Sequence, residues 1–307
     1  MAIQAGTTRV GLIGLGLMGR GLGLSLLRAG RRLGMVAHRR RETAIELLKA
    51  GAWEAGSAAE LAAQCEVIVL CLPSQEAAEA VLFGPAGLTQ GGRGGLLVIE
   101  SSTLVPEVGI DFERRLAALG MAFVDAPLTR GPTEALAGKL NALVGGRPEA
   151  VELARPILDC FCEQVFTFGT AGQGYAAKLV NNFLAFTNLV AVAEAMTTAG
   201  RAGLPLPSLL QAIAASGGQN RVLDGLSPWL AGNGQPRSRV TLDTAHKDVD
   251  YYQRFAHSLG TDGPLAGAVL EQLGAALTAG LGKQFTPEYL RLVAASMGVE
   301  LPPDPRD

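Results

Sequence analysis

The segment Arg9-Val10-Gly11-Leu12-Ile13, followed at once by Gly14-Leu15-Gly16-Leu17-Met18-Gly19 and an apolar run to about residue 29, decides how the first half of the chain is read. The first five residues have the length and composition of a buried strand, and the run after the glycines reads as a helix. A glycine-x-glycine-x-x-glycine pattern alone is a weak signal. Between a strand and a helix it is a strong one. The glycines allow a tight turn and close approach of backbone to pyrophosphate, while the helix N-terminus offers N–H groups to an anion. Gly14, Leu15, Gly16, Leu17, Met18 and Gly19 are therefore candidate dinucleotide-binding residues.

The same rhythm continues outward. Residues 33–37 read as a second strand, ending in His38-Arg39-Arg40-Arg41. Where such a fold binds NAD, an Asp or Glu stands here to accept ribose hydroxyls. Arginine forks suit a phosphate instead, so the expected cofactor is NADP (NADPH), contacted by His38, Arg39 and Arg40. A solvated basic turn is the alternative. Ser57-Ala58-Ala59-Glu60 has the capping-box pattern of a helix start. Residues 67–71 form the next expected strand, with Leu72-Pro73-Ser74 at its carboxyl edge, where nucleotides bind in such sheets. Residues 96–99 repeat the pattern and lead into Glu100-Ser101-Ser102-Thr103-Leu104-Val105-Pro106, in which Thr103 either touches the cofactor or caps a helix. Strands over 123–125, 140–144 and 165–168 complete the alternation. The fold class implied is α/β, with an N-terminal Rossmann-type, doubly wound, mostly parallel sheet.

Beyond it, Gly172-Gln173-Gly174-Tyr175-Ala176-Ala177-Lys178-Leu179-Val180-Asn181-Asn182 opens a stretch without a helix breaker to about residue 200, or roughly 40 Å of helix. It carries no charge between Lys178 and Glu194. Lys178 and Asn182 share one face. After residue 204 no strand is expected: Pro205, Pro207, Ser216-Gly217-Gly218 and the 232–236 loop separate helices. Residues 242–259 are amphipathic and carry Lys247-Asp248, with Asp248 read as a helix-stabilising partner rather than an acid catalyst. Another helix starts at Gly263-Pro264, and the tail from Pro302 is expected to be loose. The domain organisation is residues 1–171 as an NADP-binding Rossmann domain, 172–200 as an interdomain helix and 201–307 as an all-α C-terminal domain.

Bulk properties exclude several classes. With 26 basic and 28 acidic side chains among 307 residues, no large field draws nucleic acid or an anionic membrane. Cys65, Cys71, Cys160 and Cys162 fit neither a disulfide framework nor a four-ligand zinc site. His38, His246 and His257 are scattered, so no metal is expected. The start lacks a signal-peptide pattern, and the apolar windows are interrupted by Gly, Asn or Lys before 18 clean residues accumulate. These features suggest a cytoplasmic protein.

Four segments in order now carry a resemblance: Gly14 to Gly19; Ser102-Thr103-Leu104-Val105-Pro106; Asp125-Ala126-Pro127 through Gly138-Lys139-Leu140; and Gly172-Gln173-Gly174 through Lys178-Leu179-Val180-Asn181-Asn182. Lys247-Asp248 is a fifth, weaker match. The sequence resembles the β-hydroxyacid dehydrogenase family, which includes 3-hydroxyisobutyrate dehydrogenases and tartronate semialdehyde reductases. The resemblance implies Lys178 as the catalytic lysine, Asn182 at the substrate, Thr103 near the nicotinamide ribose and Lys247 closing over the cofactor. It also implies burial of the helical domain against a second subunit, as a homodimer or homotetramer. The family segment after the Asp-Ala-Pro normally reads Ser-Gly-Gly and holds the substrate carboxylate. Here it reads Thr129-Arg130-Gly131, placing a bulky cation where bare backbone is usual, as in the sulfolactaldehyde reductase branch. Arg130 then either binds a strong or second anionic group on the substrate or turns outward to a surface carboxylate.

Hydride transfer to nicotinamide needs an acid–base group on the substrate oxygen. Lys178 is the candidate, and a free lysine near pKa 10.4 is a poor base, so burial and a nearby cation, with Lys247 expected, should depress it. The reading is a semialdehyde reductase or hydroxyacid dehydrogenase acting on a small anionic substrate. The alternatives are an imine reductase-like enzyme and a catalytically silent nucleotide-binding protein on the same fold.

Overall fold

The computed structural model describes residues 8–38 and 40–302. The chain divides into two compact units, Met1–Lys178 and Leu179–Asp307.

The first unit runs β1 (Arg9–Ile13), α1 (Leu17–Arg28), β2 (Arg32–Val36), α2 (Arg41–Lys49), β3 (Trp53–Glu54), α3 (Ala58–Gln64), β4 (Val67–Leu70), α4 (Gln75–Phe83), α5 (Leu88–Gly91), β5 (Leu97–Glu100) and α6 (Pro106–Ala117). There follow β6 (Ala122–Asp125), β7 (Leu128–Thr129), α7 (Pro132–Ala137), β8 (Leu140–Gly146), α8 (Pro148–Leu158) and β9 (Cys162–Gly169). One sheet takes the order β3-β2-β1-β4-β5-β6-β8-β7, with β9 on β8. From β3 to β6 all neighbours are parallel, whereas β8 is antiparallel to β6 and β7. This is the expected Rossmann architecture.

Helices cover both faces, which is why the central strands are apolar at every position rather than alternately. Val67, Val69, Leu97 and Ile99 enter one core; Ile68, Leu70 and Val98 enter the other. Ile13, Leu70, Glu100 and Asp125 are successive register partners, so the loops that follow them leave the sheet along one edge. The two-residue strands β3 and β7 carry too few side chains for a periodicity and were not anticipated. Ser57 caps α3 through Glu60 N–H at 3.1 Å, but the Glu60 carboxylate takes the N–H of Gly56, not of Ser57, so only half of the expected box forms.

Helix α9 (Gln173–Arg201) begins in the first unit and continues through the second, which adds α10 (Leu206–Ala214), α11 (Arg221–Leu230), α12 (Leu242–Ser258), α13 (Pro264–Thr278) and α14 (Pro287–Ser296). Leu189, Val192, Trp229, Val249, Leu273 and Leu290 form its core. Pro207 lies inside the first turn of α10 instead of separating helices, a position where its missing N–H costs nothing. The Pro302 carbonyl accepts from Trp229 Nε1 at 2.9 Å, and the rest of the expected loose tail, 303–307, lies outside the described residues. Contrary to the expectation that no window would qualify, α9 is long and apolar enough to cross a membrane by length and composition, with a mean hydropathy of 1.3. Its apolar residues have another use: Tyr175 lies in a core of the first unit, and Phe186, Val192 and Met196 lie in the core of the second.

Candidate active site

The turn after β1 has the geometry that a pyrophosphate needs. Gly14 has φ 104°, and a Cβ there would fall 2.1 Å from the Cys71 carbonyl oxygen; one on Gly19 would fall 1.8 Å from the Gly14 carbonyl oxygen. A Cβ on Gly16 meets nothing within 4 Å. Two glycines are therefore demanded by the protein's own packing, and the third faces open space. Gly16 is the N-cap of α1, with no side-chain cap and no acid in the first turn, which leaves the helix terminus suited to an anion. Leu15 is buried, Met18 packs against the core and Leu17 is exposed.

At the end of β2, His38 and Arg40 are exposed, and Arg40 occupies the N-cap position of α2. Arg41 is drawn into an ion pair with Glu54, and Arg39 lies outside the described residues. After β4, Leu72 N–H donates to Ser102 Oγ at 2.7 Å, Pro73 is exposed, and Ser74 Oγ caps α4 by accepting from Ala77 N–H at 3.3 Å. Thr103 is half-buried. It does not hold the capping position of α6, whose N-cap is Val105 with no side-chain cap.

Beneath this edge lies a buried polar cluster that the sequence reading did not single out. Glu100 and Asp125, register partners at the ends of β5 and β6, are both fully buried. Asp125 accepts from Gly172 N–H at 2.8 Å and from Tyr175 N–H at 2.9 Å, anchoring the start of α9. Glu100 accepts from the Tyr175 hydroxyl, from Ser102 Oγ and from Ser102 N–H, the last at 3.1 Å. Burial pushes both carboxyls up to about 7, against the opposing pull of these donors. Burial and the neighbouring Glu100 push the Cys71 thiol up to about 12, while Lys178 opposes the rise. Lys178 is half-buried on the same helix, three residues beyond Tyr175. A glutamate closing an otherwise apolar strand was the available signal, since acids are almost never fully buried without partners.

Thr129 lies on β7, half-buried, and its hydroxyl has no hydrogen-bond partner among the described residues. Arg130 has φ 73°, the one positive φ outside glycine among the described residues. Its guanidinium donates to the Lys139 carbonyl at 2.6 Å and pairs with Glu163 at 2.7 Å. Of the two alternatives for this arginine, the contact with Glu163 corresponds to the outward one. The backbone keeps the left-handed conformation a glycine would adopt there, and two tethers on β9 and on the turn before β8 carry the side chain away. Gly131 N–H is also engaged, donating to Glu134 Oε2 at 3.0 Å.

In the second unit, Asn182 is buried, and its Nδ2 donates to Asp248 Oδ2 at 2.7 Å. Lys247 Nζ donates to Asp248 Oδ1 at 2.6 Å and lies 4.5 Å from the Tyr251 ring centroid. Asp248 is therefore more than a helix partner within α12. It reaches α9 and holds two of the residues nominated from sequence.

These arrangements agree with what known proteins share with the chain. Residues 9–169 match the NAD binding domain of 6-phosphogluconate dehydrogenase, and residues 172–293 match the family described as NAD-binding of NADP-dependent 3-hydroxyisobutyrate dehydrogenase. The chain belongs to the β-hydroxyacid dehydrogenase family. It is 33% identical over 295 residues to L-threonate dehydrogenase of Cupriavidus necator, covering 95% of this chain and 97% of the relative. It is 31% identical over 300 residues to 3-sulfolactaldehyde reductase of Escherichia coli, covering 94% and 97%. The solved structure of Psf3 in complex with NADP+ and 2-OPP superposes with a TM-score of 0.83 at 28% identity, covering 92% of this chain and 99% of that one. This β-hydroxyacid dehydrogenase is thus a nicotinamide-nucleotide oxidoreductase of the class acting on CH–OH groups.

Proposed function

We propose that this enzyme interconverts a small anionic hydroxyacid, or its sulfonate analogue, and the corresponding semialdehyde or ketone, using NADP(H), with Lys178 as the general acid–base. The observation that carries the proposal is the position of Lys178, three residues past the doubly anchored Tyr175, in the unit that also carries the glycine turn open at Gly16.

Gly14 to Gly19 and the α1 terminus would hold the pyrophosphate. The absence of a carboxylate at the end of β2, with Arg40 exposed beside it, supports NADP over NAD. Bound there, the nicotinamide supplies or takes the hydride. In the reducing direction the Lys178 ammonium donates a proton to the carbonyl oxygen as charge develops on it, and in the oxidising direction the amine takes it back. Asn182 commits Nδ2 to Asp248 and its Oδ1 accepts from Asn181 Nδ2 at 3.0 Å, so the second lone pair of Oδ1 is what it would offer a substrate hydroxyl. The Thr129 hydroxyl and the Arg130 N–H are the groups left for a carboxylate, because Gly131 N–H is already used. With Arg130 tethered to Glu163, the reading favours a single-anion substrate over one with a second strong anion. A homodimer or homotetramer in the cytoplasm completes the proposal; exposed Val180 and Leu184 on α9 support association, and the free thiols a reducing compartment.

The test is oxidation of NADPH and of NADH with a panel of sulfolactaldehyde, succinic semialdehyde and tartronate semialdehyde. Lys178→Ala should bind NADPH normally and lose at least about a thousandfold in turnover. Near-normal turnover in that variant removes Lys178 from the mechanism, and a preference for NADH removes the NADP assignment.

A further inference from the structure

Tyr175 is a full side chain with no exposure at all, placed where α9 meets the sheet edge. It is gripped twice, at its backbone N–H by Asp125 and at its hydroxyl by Glu100. The grip does not end there. Ser102 Oγ donates to Glu100 and accepts from Leu72 N–H, so a continuous chain of hydrogen bonds runs Tyr175–Glu100–Ser102–Leu72. Its far end is the loop after β4 that lines the nucleotide edge; its near end is the helical turn leading into Lys178.

The surroundings leave this turn little room to shift. A Cβ on Gly174 would fall 2.4 Å from the Leu143 carbonyl oxygen and 2.6 Å from Asp125 Oδ2, and one on Gly145 would fall 2.8 Å from Asp125 Oδ1. A Cβ on Gly109 would fall 2.9 Å from the Tyr175 ring. Three glycines thus let three backbones close onto the tyrosine and its aspartate, at distances no other residue allows.

We propose that Tyr175, held between Glu100 and Asp125 and linked through Ser102 to Leu72, is a positioning residue that sets the Lys178 ammonium against the nucleotide edge of the sheet. The physical reason is leverage. Residues i and i+3 lie on adjacent turns of one helix face, so a fixed Tyr175 fixes the rotation and rise of the helix at Lys178 and with them the point from which its side chain starts. The hydroxyl is what distinguishes this clamp from ordinary core packing: a phenylalanine fills the same volume and keeps the backbone bond to Asp125, but it drops the connection to Glu100. Tyr175 touches no reacting atom; it acts through Lys178, and so the proposal rests on the reading of Lys178 given above.

The experiment combines turnover with a readout that needs no substrate, the rate of reductive methylation of each lysine by formaldehyde and cyanoborohydride, mapped by mass spectrometry. In Tyr175→Phe, methylation of Lys178 should rise at least about fivefold while Lys49 and Lys139 are unchanged, and kcat should fall about tenfold with KM within about twofold. Because Glu100 also accepts from Ser102, Glu100→Gln alone should raise Lys178 methylation in the same direction, and the double variant should rise by less than the sum of the two; full additivity overturns the shared link. Unchanged Lys178 methylation in Tyr175→Phe overturns the clamp, as does a uniform rise across all three lysines, which would mean general loosening. An active Lys178→Ala overturns the lysine reading instead. Inactive Lys178→Ala beside fully active Tyr175→Phe overturns the clamp alone.

Discussion

Two carboxylate anchors act on α9, and they work differently. In the first unit, Asp125 and Glu100 hold Gly172 and Tyr175 through backbone N–H and hydroxyl donors, and burial lifts both carboxyls to about 7. In the second unit, Asp248 is almost as deeply buried, yet it faces the Lys247 ammonium and the Asn182 amide. The first anchor fixes the backbone and the tyrosine at the start of the helix; the second fixes side chains nominated for function. Each of these three buried acids has donors, but of them only Asp248 has its charge matched by a neighbouring cation in direct contact, and that difference governs how each responds to mutation.

The largest effect should come from Asp248→Ala. It strands a buried amide and removes the ion pair to Lys247, for which a cost of about 3–5 kcal/mol is expected, read as the midpoint of urea unfolding. A negligible loss in Asp248→Asn beside a large one in Asp248→Ala would show that matched charge contributes nothing. Next comes Asp125→Ala, which removes two backbone-directed bonds and should cost about 3 kcal/mol by the same measurement. Asp125→Asn, which keeps one acceptor, should lose less than half of that.

The pH response is the third test. Glu100 and Asp125 have folded-state values of about 7, raised above their ordinary 4.5 and 3.8. A raised carboxyl binds its proton more tightly in the folded state. Its stabilising contribution is therefore fully present below the ordinary value and is lost as pH rises through about 7. The thermal midpoint should fall between about pH 5 and about pH 8, and Glu100→Gln should flatten that slope. A midpoint that rises over this interval would break the contrast between the two anchors. The smallest effect belongs to Arg130→Gly. Relief of a left-handed non-glycine residue, about 1 kcal/mol, offsets loss of a partly exposed ion pair worth up to about 1 kcal/mol. The midpoint should move by less than about 1 kcal/mol, and substrate preference should be unaltered; an altered preference would restore Arg130 to the substrate.

Much of the first unit could be read before any coordinates. The strand–glycine–helix unit at Arg9 to Arg28 is local, and most residues there report their own environment: apolar positions other than Leu17 are buried or half-buried, and Gly14 and Gly19 stand where a Cβ would collide. The helix opening at residue 173 was legible for the same reason, as was the all-α character of the second unit. Two-residue β3 and β7 were not legible, because their pairing is decided by neighbours rather than by pattern.

The candidate site divides in the same way. Lys178 and Asn182 are nominated by residue type and spacing, since an isolated cation and an amide one turn apart on an apolar helix are visible in one dimension. Arg130 was not decided there. Sequence shows a cation where backbone is usual, and only the approach of β9 and the turn before β8 supplies Glu163 and the Lys139 carbonyl that carry it away. Tyr175 is the clearest case. In the sequence it is one aromatic residue in an apolar run. Its two grips come from residues 50 and 75 positions earlier, on neighbouring strands whose ends meet only after the sheet has assembled. Local chemistry determined which residues can react; long-range packing determined which of them are held, and by what.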